Sequence, residues 1–285
     1  MSDTYYFQVR WGDLDAQGHV NNGVGVDYLQ EARVRFFRNG PCAQMLATGV
    51  VVVGHQVEYA APIEFSATGV EVELFVDRVG GAKLRLGYEV RQNGRTALRA
   101  RTTLCPFDFT AGLPRRFTPD ERAYLRDLVE PLEPLRDLGR PVVGEHAHVH
   151  EFWPRWSDQD IYRHVNNVRY YDLFQEARIH ATTDADPSAA RTTAGSSAQY
   201  LWLVARQDVD YLAQLDYRET PYQVRTGIAK IGRTSLTLVA ELADFDEGQV
   251  FARARSVLVC AGPDGRPTPL PANVADSVSR WLVDG

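Results

Sequence analysis

The sequence predicts an α+β protein made of two copies of one unit, each a curled antiparallel sheet around a central helix. Three observations carry that prediction: a gapless internal repeat, an apolar helical stripe inside each copy, and four strand-like segments after each stripe.

The repeat comes first. Residues 10–33 read RWGDLDAQGHVNNGVGVDYLQEAR, and residues 155–178 read RWSDQDIYRHVNNVRYYDLFQEAR. At an offset of 145 they agree at 13 of 24 positions: Arg10, Trp11, Asp13, Asp15, His19, Val20, Asn21, Asn22, Asp27, Gln30, Glu31, Ala32 and Arg33 all recur. Many of these are polar, so shared apolar periodicity does not explain the match. Later pairs continue it. Val57-Glu58-Tyr59 matches Val209-Asp210-Tyr211 at offset 152, as Ile63-Glu64-Phe65 matches Leu215-Asp216-Tyr217. Arg99-Ala100-Arg101 matches Arg253-Ala254-Arg255 at offset 154. Two long copies indicate duplication of a fold unit rather than a solenoid. The expected organisation is unit 1 over 1–110, a linker with a surface helix over 111–146, and unit 2 with a C-terminal helix over 147–285.

Each unit is expected to open with a short strand, 5–11 and 148–156, followed by a polar loop. A helix follows over 23–38 and 168–182, with Asn22 and Asn167 as suitable N-caps. Gly25, Leu29, Ala32 and Phe36 form one helical face in the first copy; Tyr170, Phe174, Ala177 and Ala181 form it in the second. Segments 50–60, 67–78, 82–93 and 95–107 are rich in Val, Leu, Tyr, Phe and Thr, with breaks at Pro62, Gly80-Gly81 and Asn93-Gly94. Asn-Gly is a two-residue hairpin signal. Segments 199–211, 217–230, 233–244 and 249–260 are their counterparts. Thr118-Pro119-Asp120-Glu121 is a capping box with proline at the first helical position, so a helix near 119–129 is expected. A similar helix is expected near 272–283.

Composition narrows the function classes. The chain has 285 residues, 44% hydrophobic and 24% charged, so disorder over most of it is not expected. A net charge of −6 argues against a nucleic-acid partner held by phosphate contacts. No apolar run is long enough to span a membrane, and the N-terminus lacks the apolar region of a secretory signal. Cys42, Cys105 and Cys260 are far apart and odd in number, which gives no disulfide framework and fits a reducing cytoplasm. Lysines are confined to Lys83 and Lys230, a skew toward arginine that a coding bias also produces.

The chemistry lies in the polar loop. Asp15 and His19 stand four residues apart just before a helix start, and Asp160 and His164 repeat them. A helix N-terminus presents unpaired amides and partial positive charge, which stabilise an oxyanion. A carboxylate beside it activates water or attacks directly. These are the parts of acyl transfer or hydrolysis at an activated carbonyl. Asp13 and Asp158 are read as structural. Metal ligation is the rival use of Asp15 with His19, or of His146, His148 and His150, which one strand face would collect. The second set has no counterpart in the first copy, so neither a metal nor another cofactor is expected. Glu31-Ala32-Arg33 and Glu176-Ala177-Arg178 are expected to hold a buried or interface ion pair. Gly23-x-Gly25 lacks the context of a dinucleotide site.

These residues resemble the hotdog-fold thioesterases of the 4-hydroxybenzoyl-CoA thioesterase-like superfamily. RWGDLDAQGHVNN with YLQEAR is similar to the bacterial acyl-CoA thioesterase signature. RWSDQDIYRHVNNVRYYDLFQEAR is similar to the motif of plant-type acyl-ACP thioesterases, which are also tandem chains. The plant-type motif has Asp-x-Asn-x-His; here Gln17 and Tyr162 stand at the middle position. The resemblance implies two tandem hotdog units forming an intrachain pseudo-dimer, with sites where the units meet. It implies Asp15 and Asp160 as catalytic carboxylates, and His19 and His164 as residues that orient water or the carboxylate. It places the thioester oxygen at the helix starts, by Asn21, Asn22 and Gly23 and by Asn166, Asn167 and Val168. The implied substrate is acyl-CoA, held by local arginines, with association of pseudo-dimers a further expectation. Acyl-ACP hydrolysis, hydration or dehydration, and acyl-CoA binding without turnover are the alternatives. Gly25 opposite Tyr170 leaves either room for an acyl chain or a close strand approach.

Overall fold

The computed structural model describes residues 2–187 and 200–283. The chain divides into two compact units, Met1–Arg136 and Asp137–Gly285.

Unit 1 contains β1 (Asp3–Phe7), α1 (Asn22–Arg38), α2 (Ala43–Thr48), β2 (Val50–Tyr59), β3 (Val70–Val79), β4 (Leu84–Gln92), β5 (Arg95–Asp108), β6 (Leu113–Pro114) and α3 (Pro119–Asp127). Its sheet runs β1-β3-β4-β5-β2, antiparallel throughout, with β6 paired to β5. Unit 2 contains β7 (His148–Phe152), α4 (Arg169–Ala185), β8 (Leu201–Tyr211), β9 (Tyr222–Ile231), β10 (Ser235–Asp244), β11 (Gln249–Ala261) and α5 (Ala272–Ser279). Its order, β7-β9-β10-β11-β8, repeats that of unit 1 strand for strand.

Alternation places one sheet face against the helix. In β3, Val70, Val72, Leu74 and Val76 are buried; in β4, Leu84, Leu86, Tyr88 and Val90 are. The expected stripes on both helices are buried, and the burial is wider than one stripe. Val26, Tyr28, Arg33 and Phe37 join it in α1, and Tyr171, Leu173, Arg178 and Ala185 in α4. Helices buried around most of their circumference are the cores of their units. Asn93 and Gly94 both have positive φ, 51° and 75°, as a type I′ hairpin turn requires. Unit 2 uses a four-residue connection there, 245–248, which accounts for the rise in offset from 152 to 154.

Several boundaries move. The opening strands stop at Phe7 and Phe152, because Trp11–Asp13 and Trp156–Asp158 form 3-10 turns. Residue 199 of the expected strand 199–211 lies outside the described residues. The helix caps differ from expectation in both units, one residue earlier in α1 and one residue later in α4. Asn21, not Asn22, caps α1, its side chain accepting from the Gly23 amide at 2.8 Å. In unit 2 the cap position of α4 falls on Val168, which makes no side-chain cap bond, while the Asn166 side chain accepts from the Val168 amide at 3.0 Å just before it. His146 precedes β7, so it does not share a strand face with His148 and His150. The short α2 and β6 had no sequence signal.

Residues 111–136 pack on unit 1 rather than linking it loosely. In α3 the capping box forms: Thr118 accepts from the Glu121 amide at 3.2 Å, and Glu121 accepts from the Thr118 amide at 2.8 Å. Glu121 and Leu125 are buried, so this helix is a packed element and not merely a surface one. Beyond it, Glu130 donates to the Val76 carbonyl at 2.8 Å, Leu132 to Asp77 Oδ1 at 3.0 Å, and Arg101 to the Glu133 carbonyl at 2.8 Å. Thr118→Ala removes a cap and is expected to cost about 1 kcal/mol of stability, read by urea denaturation.

Candidate active site

The two polar loops fold alike, and mainly through their main chains. Asp15 donates to the His19 carbonyl at 2.8 Å, and Asp160 to the His164 carbonyl at 2.8 Å. Gly18 returns to the Asp15 carbonyl at 3.0 Å, and Arg163 to the Asp160 carbonyl at 3.1 Å. Val20 and Val165 anchor the loops to Ile63 and Leu215, each at 2.8 Å. Asn21 and Asn166 donate to the Asp13 and Asp158 carbonyls, each at 2.8 Å. Asp13 and Asp158 are structural as expected, for their Oδ2 atoms accept from the Arg10 and Arg155 amides, each at 2.7 Å.

The candidate carboxylates are held inside these turns. Asp15 Oδ1 accepts from the Gln17 amide at 2.8 Å and the His19 amide at 3.3 Å. Asp160 Oδ1 accepts from the Tyr162 amide at 2.8 Å. The donor at the middle position is the backbone N–H, so glutamine and tyrosine serve this bond equally. Burial pushes the Asp160 carboxyl above the ordinary aspartate value, while the amides of Tyr162 and His164 pull the other way. The carboxylate therefore binds a proton more readily than a solvated one.

A raised carboxyl pKa has a definite linkage sign. The folded chain holds this proton more tightly than the unfolded chain, so ionised Asp160 costs stability above the unfolded pKa, and the cost fades as pH falls through the folded one. Asp160→Asn is expected to melt above the wild type at neutral pH, with the difference closing in acid. Parallel thermal melts across pH read this.

The remaining expected residues gather around the same turns. Isolated bridges join His19 to Glu64 and His164 to Asp216, and His164 Nε2 lies 3.8 Å from Asp216 Oδ1. The Gly23 and Val168 amides are taken up by the Asn21 and Asn166 side chains. The Asn22 amide, first of α1, has no acceptor among the described residues. Two tyrosines not singled out for the site fix the helix starts from the neighbouring strand. Tyr59 donates to the Asn22 carbonyl at 3.1 Å, and Tyr211 to the Asn167 carbonyl at 2.8 Å. Their signal was present in the recurring Val-acid-Tyr triplets. In unit 2 the turn opens on a cleft of about 620 Å³, lined by Trp156, Ser157, Gln159, Asp160, Arg163, Asp216 and Tyr217. Aromatic pairs stand edge to face beside both turns: exposed Trp11 with exposed Phe65 at 5.5 Å, and exposed Trp156 with half-buried Tyr217 at 5.4 Å.

Other expected features resolve differently. Glu31 and Glu176 are exposed while Arg33 and Arg178 are buried. Residues two apart on a helix point to different sides, so neither run closes as a buried pair. Arg178 instead donates to Gln207 Oε1 at 3.2 Å. Gly25 leaves no open space: a Cβ there would lie 3.3 Å from Leu98 Cδ1. In unit 2, Tyr170 fills the corresponding volume, edge to face with Tyr211, and Ala252 stands where unit 1 has Leu98. The glycine thus serves close packing. His148 pairs with Asp184 at 3.0 Å, and the His150 ring stacks on His180 at 4.1 Å. Among the described residues no group of three or more His, Cys, Asp or Glu is placed to hold a metal. Cys42, Cys105 and Cys260 are free and buried.

The chain belongs to the thioesterase-like superfamily, whose family model matches residues 9–127 and 154–282, one copy in each unit. Its fold is two tandem hotdog units. Three solved structures share that fold at low identity. An acyl-ACP thioesterase from Bacteroides thetaiotaomicron is 14% identical with a TM-score of 0.68, over 90% of this chain and 97% of that one. A putative oleoyl thioesterase from Lactobacillus plantarum is 14% identical with a TM-score of 0.70, over 94% and 96%. A 12:0-ACP thioesterase from Umbellularia californica is 16% identical with a TM-score of 0.66, over 91% and 94%. No curated protein matches the chain. No helix among the described residues is long and apolar enough to cross a membrane.

Proposed function

We propose that the chain hydrolyses acyl-CoA to free acid and CoA. The observation that carries this is the Asp-His turn, built twice at a helix start with the same main-chain bonds. Family membership supports thioester hydrolysis as the reaction class.

In this reading the thioester carbonyl oxygen lies against the helix start, where the Asn22 amide or its counterpart in unit 2 receives developing negative charge. Asp15 or Asp160 takes a proton from water as the water oxygen attacks the carbonyl carbon. The tetrahedral intermediate expels the thiolate, which takes up a proton and leaves as free CoA. Direct attack by the carboxylate, through an anhydride that water opens, uses the same atoms. His19 and His164 orient the attacking water. The free, buried cysteines fit a reducing compartment such as the cytoplasm.

The test is a chain-length panel of matched acyl-CoA and acyl-ACP substrates. Faster turnover of the CoA series supports the proposal, and faster turnover of the ACP series replaces the carrier. Where Asp160 is the base, kcat/KM falls as pH drops through its raised pKa, so the acid limb sits above the ordinary aspartate range. Binding of acyl-CoA with no hydrolysis of any substrate would overturn the enzyme reading.

A further inference from the structure

Position 163 separates two loops that otherwise fold alike. Unit 1 has Gly18 there at φ 82°, and unit 2 has Arg163 at φ 65°. The left-handed region suits glycine and is unfavourable for a residue with a Cβ. A side chain kept there despite that cost points to a use for it. Arg163 is exposed, lines the cleft beside Asp160, and its guanidinium makes no hydrogen bond or ion pair among the described residues.

We propose that Arg163 is a substrate-binding residue that donates to an amide carbonyl of the substrate's pantetheine arm, the segment CoA and acyl carrier protein share. The inference rests on the thioesterase reading and specifies where unit 2 grips its substrate.

Three features favour an amide carbonyl over a phosphate. The first is reach. The Arg163 amide bonds to the Asp160 carbonyl, so its side chain springs from the turn that holds the candidate carboxylate. With the thioester at Asp160, the nearer amide of the arm lies a few bonds from the sulfur, while the phosphate is at the far end. The second is charge. Asp160 and Asp216 share the cleft with Arg163, two carboxylates to one guanidinium, which repels an anion and tolerates a neutral acceptor. The third is shape. Trp156 and Tyr217 flank the cleft and present apolar surface to the methylenes and planar amides of the arm.

The experiment compares the full-length wild type with Arg163→Gly, which installs the residue unit 1 tolerates in this turn. Arg163→Lys is the conservative control. Substrates are the same acyl group on CoA, on pantetheine and on mercaptoethanol, which lacks the amides. The expected result is that kcat/KM for the CoA and pantetheine thioesters, each relative to the mercaptoethanol thioester, falls about tenfold in Arg163→Gly through KM. Arg163→Lys should recover part of it. A fall for CoA alone would mean that Arg163 reads phosphate and would overturn the assignment. Unchanged ratios would overturn it as well. If the wild type cleaves no thioester, the functional reading fails by itself. Calorimetry with an S-alkyl pantetheine then decides the arm contact: weaker binding by Arg163→Gly supports it, and equal or absent binding removes it.

Discussion

Replacing both Asp15 and Asp160 with asparagine is expected to lower thioester hydrolysis by about two to four orders of magnitude, the usual size of a general-base contribution. Asparagine keeps the side-chain oxygen that accepts from the Gln17 and Tyr162 amides, so the turns should keep their shape. The single variants assign the work. If each unit turns over substrate independently, each single change removes its own share. If Asp160 carries turnover, Asp160→Asn alone matches the double variant and Asp15→Asn matches the wild type. A double variant that keeps the wild-type rate on a good substrate would remove both aspartates from the mechanism.

Tyr170→Gly is expected to produce the largest stability loss, about 3 to 5 kcal/mol, as for other large aromatic truncations in a core. Tyr170 is 3% exposed and packs on Tyr211. Unit 1 shows how the hole is filled when the tyrosine is absent, for Leu98 occupies the space beside Gly25. Adding Ala252→Leu to Tyr170→Gly should therefore recover a measurable part of the loss in urea denaturation. Neighbouring residues that share one volume do not add independently. A double variant no more stable than Tyr170→Gly would show that the two pairs are not interchangeable.

The sequence carried the duplication, the central helices and the candidate carboxylates because identity recurred at polar positions where packing does not demand it. The hairpin at Asn93-Gly94 was legible because two adjacent residues must adopt positive φ there. The parts that were not legible depend on contacts from afar. The burial of Glu121 and Leu125 comes from packing that the local capping box does not encode. The α1 cap was ambiguous because the loop offers two adjacent asparagines, and the main-chain bond from Asn21 to Asp13 decides between them, while in unit 2 the cap falls one residue past both asparagines, at Val168. Gly25 was ambiguous because its neighbour Leu98 is 73 positions away in the sequence. The Glu-Ala-Arg runs suggested ion pairs by composition, but helical geometry turns the two charges apart.

The main-chain grip on the aspartates has a consequence for altering this protein. Gln17 and Tyr162 touch the carboxylates through their amides, which every residue but proline provides. Substituting their side chains therefore preserves the bond that holds the candidate carboxylate. Positions 17 and 162 can thus be varied in a combinatorial library without removing that bond. Proline is the one residue such a library should omit.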